Sequence, residues 1–179
     1  MYKHIALWPV RAKADSPDRK VADPGSGCKT RGRVNPIERP SYAVDIRGST
    51  ATLSVEAPTF VALLSTAALA FSDVVVPIGN FETWTARRVS AKGRDATETL
   101  ARWLESALAD WREGGFLASL VEVERSELTR AAGIFRGGCR DADAPRPASN
   151  PVEIVAGSVS VTPGDAGTPW KARFGVTLA

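Results

Sequence analysis

The sequence predicts an α+β fold: a mostly antiparallel sheet with two to three helices packed on one face, plus an extended basic N-terminal arm or long loop. Three observations carry this expectation. Strand-like alternation appears on both sides of Gly48 and again over residues 170–178. One amphipathic helix is specified from cap to stop over residues 96–113. Residues 9–40 hold five prolines, Pro9, Pro17, Pro24, Pro36 and Pro40, and no helical or strand period survives among them.

Taken in order, residues 2–8 (YKHIALW) form a short apolar run that suits a strand. After the proline-broken stretch, Tyr42, Val44 and Ile46 alternate with polar or small residues, and Ala51, Leu53 and Val55 do the same beyond Gly48-Ser49. That is a hairpin pattern, with glycine supplying the positive φ of a tight turn. Pro58 suits the first turn of a helix, PTFVALLSTAALAF, that is apolar on nearly every side and must be buried by its own domain or by a partner. Residues 73–78 (DVVVPI) read as a strand.

The next helix, residues 96–113, has Asp95 as cap and Glu98 three residues on, placed to reach back. Leu100, Trp103, Leu104, Ala107, Leu108 and Trp111 make one continuous apolar stripe, and Gly114-Gly115 ends it. Residues 116–124 favour a strand, and residues 126–135 read as a short helix. Residues 141–151 (DADAPRPASNP) have the composition of a linker. Two strand-like runs close the chain, 152–162 and 170–178. The second puts Trp170, Ala172, Phe174, Val176 and Leu178 on one face and Lys171 and Arg173 on the other. The expected organisation is a first strand at 1–8, a basic arm or long loop at 9–40 and an α+β core at 41–140. A linker at 141–151 and a C-terminal β-hairpin at 152–179 then complete the sheet.

Composition bounds the function. At 179 residues, 44% hydrophobic and 24% charged, the chain matches one globular domain and excludes wholesale disorder. Residues 1–50 carry 10 Lys/Arg against 5 Asp/Glu, so the net charge of +3 arises at the N-terminal end and favours anionic partners. Cys28 and Cys139 are far apart and suit free thiols in a reducing compartment. The first residues lack the pattern of a signal peptide, and the apolar run 59–71 falls short of the ~20 residues a membrane-spanning helix needs. The expected setting is cytoplasmic or within a particle, with no membrane partner.

The candidate chemistry is thin. Residues 24–33 (PGSGCKTRGR) place Lys29-Thr30 as a phosphate loop would, yet Cys28 and Asp23 occupy the two glycine positions, and no strand and helix flank the stretch. Lys29, Arg31 and Arg33 are therefore assigned to a basic arm that touches an anionic partner. The stretch VEAPTFVALLSTAALAFSDVVVPIG resembles the strand–helix–strand segment after the Walker B aspartate of the ParA/MinD partition ATPases, over 25 residues. Glu56 stands where those ATPases place Asp and Thr59 where they place a second Pro, and no site residue is carried over.

Residues 125–140 (RSELTRAAGIFRGGCR) resemble the helix-turn-helix core, with Leu128 and Ala132 in the first helix, Gly133 at the turn and Ile134 packing after it. That resemblance implies that Arg136 and Arg140 face the major groove or phosphates. Gly137 and Gly138 would then sit inside the recognition helix, at about 1 kcal/mol each. Trp84, Arg87, Arg88, Lys92 and Arg94 form a further basic-aromatic cluster, read as a solvated loop whose tryptophan tucks into the core, with Arg87 and Arg88 as candidate contacts for an anionic partner.

His4 is the only histidine, and two distant cysteines with one histidine do not make a closed zinc set. Glu56, Asp73 and Glu82 flank element ends, where carboxylates serve as caps or turns. No catalytic residue, cofactor or metal is expected. The reading is a non-enzymatic structural or assembly subunit, phage- or virion-like, that contacts copies of itself or other subunits through the arm. The alternative is a nucleic-acid-binding protein using the arm and segment 125–140.

Overall fold

A computed structural model describes residues 40–75, 85–139, 150–165 and 167–179. The expected strand at 1–8, all but the last residue of the basic arm at 9–40 and most of the linker lie outside these residues, as do His4, Cys28, Glu82 and Trp84, the tryptophan expected to tuck into the core.

The chain forms β1 (Ser41–Arg47), β2 (Thr50–Ala57), α1 (Phe60–Val75), β3 (Thr85–Lys92), α2 (Ala96–Gly114), β4 (Phe116–Glu127), β5 (Arg130–Cys139), β6 (Pro151–Ile154), β7 (Ser160–Thr162) and β8 (Trp170–Leu178). All strand pairs among the described residues are antiparallel. The strands make two sheets rather than one. In the first, β1, β2 and β8 lie side by side, and β6 and β7 share the far edge of β8. The second is three-stranded, in the order β3-β5-β4.

Both helices pack on strands of both sheets, α1 on β2 and β4, α2 on β3 and β6. They therefore form a layer between the sheets, rather than covering one face of a single sheet. This explains why α1 is apolar all round: Phe60, Leu63, Leu64, Ala67, Ala68, Ala70, Phe71, Val74 and Val75 are all buried, facing a sheet on either side.

The β1–β2 hairpin turns at Gly48, whose φ of 57° only glycine adopts cheaply. In α1 the cap is Thr59, whose hydroxyl accepts the Ala62 N–H at 3.1 Å, so Pro58 stands before the helix rather than in its first turn. The helix also continues through Asp73, Val74 and Val75, where a strand was expected. Burial of both valines overrides their modest preference against helix. With β2 antiparallel to both neighbours, the resemblance to the partition ATPases does not extend to topology.

In α2, Asp95 accepts the Glu98 N–H at 2.8 Å, while the Glu98 carboxylate reaches back to the Arg94 N–H at 3.0 Å, one residue earlier than in the usual box. Every member of the predicted stripe is buried. Trp103 meets Phe135 edge-on at 5.0 Å between ring centroids, and Trp111 donates to the Asn150 side chain at 3.0 Å, fixing the approach to β6.

The largest correction concerns residues 126–135. They are not helical: β4 and β5 form a long hairpin around Leu128-Thr129, with Glu127 opposite Arg130. Ala131, Gly133, Phe135 and Gly137 alternate inward along β5. The helix-turn-helix resemblance over residues 125–140 is thereby removed. The last expected strand pair is also divided: a turn through Gly157 splits residues 152–162 into β6 and β7.

Candidate functional site

Register decides which side chains share a face, because directly opposed residues point the same way. On the three-stranded sheet, the outward rows are Ala86–Arg136–Leu120, Arg88–Ile134–Glu122, Ser90–Ala132–Arg125 and Lys92–Arg130–Glu127. Arg88, Lys92, Arg125, Arg130 and Arg136 therefore stand on one face, against Glu122, Glu127 and a bulge-borne Glu124. Arg136 grips Glu122 through two hydrogen bonds, at 3.1 and 3.3 Å. Leu120 is 43% exposed and Leu128, at the hairpin tip, 52%. Among the described residues the face carries five cations against three carboxylates, with Ala86, Leu120, Ile134 and Ala132 set among them in the same rows.

Sequence reading had singled out Arg88 and Arg136, and the strand register makes them diagonal neighbours here. Arg87 does not join them. It points inward, 3.6 Å from Asp110 of α2 and with its guanidinium 5.3 Å from the Phe116 ring centre. Its Nε is buried without a hydrogen-bond partner among the described residues. Burial raises the Asp110 carboxyl above its usual range, and Arg87 opposes that shift. The Arg87–Arg88 stretch is strand, not a solvated loop, so neighbouring arginines part to opposite faces. Arg94 leaves the cluster too, bound to Glu98 at 2.7 Å, and this contact holds the Glu98 carboxyl below its usual range. Lys29, Arg31, Arg33 and Arg140 lie outside the described residues.

Arg125 and Arg130 were not named as contacts from sequence, and Lys92 entered only as a member of the basic-aromatic cluster around Arg88. The signal was present in part, since Arg88 and Lys92 fall at even spacing on one strand. The β4 bulges at Ala118/Leu120 and Val123/Arg125 shift its parity and hide the rest.

The outer face of the larger sheet holds a second constellation that sequence reading did not assemble. Glu56, Lys171 and Thr162 form one row, and Ser54, Arg173 and Ser160 the next. Lys171 pairs with Glu56 at 2.9 Å. These side chains line a shallow depression of about 240 Å³.

Of the flagged carboxylates, Glu56 is therefore an ion-pair partner and Asp73 accepts the Tyr42 hydroxyl at 2.8 Å. Burial, with that bond, pushes the Tyr42 phenol well above its usual range. Cys139 is exposed at the end of β5. Among the described residues no three of His, Cys, Asp and Glu lie together as metal ligands would, and no helix is long and apolar enough to cross a membrane.

A family model described as "Archease protein family (MTH1598/TM1083)" matches residues 50–146, more than half of the chain. The structure is similar to the solution structure of Methanobacterium thermoautotrophicum protein 1598, with a TM-score of 0.64 and 18% identity, over 76% of this chain and 98% of that one. At that identity the likeness concerns the fold, two antiparallel sheets with two helices. No curated protein sequence matches the chain. The family match overturns the expectation of a structural, virion-like assembly subunit, which rested on the arm and the all-apolar helix. That helix is buried within its own domain.

Proposed function

The chain belongs to the archease family, and from that premise we propose that it is an accessory protein of RNA processing. In this reading it works beside an RNA ligase or a related RNA-processing enzyme and meets RNA with the outer face of the three-stranded sheet. One observation supports the choice of face: Arg88, Lys92, Arg125, Arg130 and Arg136 come from three strands onto one surface. Cations in strand rows track a phosphate backbone without reading bases, which suits a protein that serves another enzyme's substrate. The aliphatic patch at Leu120 and Ile134 offers no aromatic platform for stacking, so binding through this face is electrostatic and tolerant of sequence.

The test is twofold. RNA affinity of the full chain should fall steeply with salt, and the chain should co-elute with its RNA ligase or alter the ligation rate. RNA binding indifferent to salt, together with no effect on ligation, would remove the reading.

A further inference from the structure

We propose that the depression on the outer face of the larger sheet is a phosphate-group site anchored by Arg173. Three strands build it. Arg173 in β8 lies directly between Ser54 of β2 and Ser160 of β7. Opposed side chains in such rows have Cβ atoms roughly 4.5–5.5 Å apart, so both hydroxyls stand beside the Arg173 side chain on the same face. The next row adds Lys171 and Thr162. The resulting set is a guanidinium fork, three hydroxyls and an ammonium already paired with the Glu56 carboxylate, still rich in donors for an anion with several acceptor oxygens.

Charge and shape narrow the ligand. Glu56 holds Lys171 at 2.9 Å, leaving Arg173 as the uncompensated cation, with no carboxylate in ion-pair range among the described residues. The face is also not flat. Beyond Arg173 comes Gly175, and the turn between β6 and β7 folds against it: a Cβ there would lie 3.2 Å from Val155 Cγ2 and 3.3 Å from Ser158 Oγ. Ser158 Oγ also accepts the Gly175 N–H at 2.8 Å, which pins that turn to the strand beyond Arg173. The depression of about 240 Å³ is smaller than the ~300–1,000 Å³ of sites for drug-sized ligands, so it admits one phosphoryl group rather than a whole nucleotide. Arginine suits this role because its planar fork meets phosphate bidentately. The site lies across the helix layer from the three-stranded sheet, so it stands or falls apart from the reading of that face.

The experiment follows the amide resonances of Ser54, Ser160 and Arg173 in the full chain during three titrations. The probes are inorganic phosphate, a short oligoribonucleotide with a 5′-phosphate, and the same oligomer with a 5′-hydroxyl. Shifts with phosphate and the 5′-phosphorylated oligomer alone identify a terminal phosphate. Equal shifts with both oligomers identify a backbone phosphodiester, and shifts with phosphate alone identify the free ion; each supports the site. Arg173→Gln should weaken the responding ligand about tenfold, and Ser160→Ala less, while Arg136→Gln on the other sheet leaves these shifts unchanged. Arg173→Gln replaces an exposed side chain, and retained amide dispersion will show that it folds. No localised shift with any probe, or Arg173→Gln binding like the parent, overturns the proposal.

Discussion

Trp103 of α2 donates its indole N–H to the carbonyl oxygen of Leu64 in α1, 3.1 Å away and fully buried. The same ring packs edge-on against Phe135 of β5. One side chain thus ties the two helices of the middle layer to each other and to the three-stranded sheet. Trp103→Phe keeps most of the ring contact and removes the donor, and should cost about 1–3 kcal/mol. Trp103→Ala adds a cavity, for about 3–5 kcal/mol. Urea unfolding with unchanged m-values checks both.

Gly137 faces the β4 bulge, where a Cβ would collide with the Leu117 carbonyl oxygen and lie 2.8 Å from its carbon. Backbone cannot yield there without breaking the ladder. Gly137→Ala should therefore destabilise by about 1–3 kcal/mol or more, with loss of protection from hydrogen exchange concentrated in β4 and β5.

Arg87 and Arg88 are neighbours in sequence and opposites in role. Arg88→Ala should lower RNA affinity and reduce the slope of log affinity against log salt by about 1, with stability within about 0.5 kcal/mol of the parent. Arg87→Met should leave that slope intact and lower stability, because it strips the half-buried Asp110 of its partner. Filter binding over a salt series, beside thermal melts, separates the two.

Asp110 and Glu98 give opposite pH signatures. The Asp110 carboxyl is raised by burial, so its favourable contribution is full below the ordinary aspartate value, near 3.9, and is lost as pH rises through its folded value. Relative to Asp110→Asn, the parent should lose stability across that rise. Glu98 is lowered by its bonds from Arg94, so its contribution is present above about 4.3 and is lost as pH falls through its folded value. Glu98→Gln should flatten the acid limb of the stability profile, and paired pH series of denaturation midpoints read both signs.

Much of the body was legible in sequence where one period runs unbroken. The stripe of α2, the alternation of β8 and the hairpin at Gly48 are each set by neighbours within a few residues. The β4–β5 hairpin was not, for two physical reasons. Its turn, Leu128-Thr129, carries no glycine or asparagine to announce it. Its two bulges also break the parity by which a strand is recognised. The candidate faces suffered most from this: Arg136 was placed on a helix that does not exist, and Lys171 and Arg173 were seen only as the wet side of a strand.

The sequence by itself determined the α+β class, the caps of α2 and which side of β8 turns inward, because those depend on local hydrogen bonds and on the periodicity of burial. Only the tertiary structure decided that the sheet is two sheets with α1 buried between them, that Arg87 and Arg88 part company, and that Ser54, Ser160 and Arg173 meet. Those relations join residues up to 119 positions apart. They are fixed by strand register and by two-sided burial of a helix, and neither leaves a local mark in the order of amino acids.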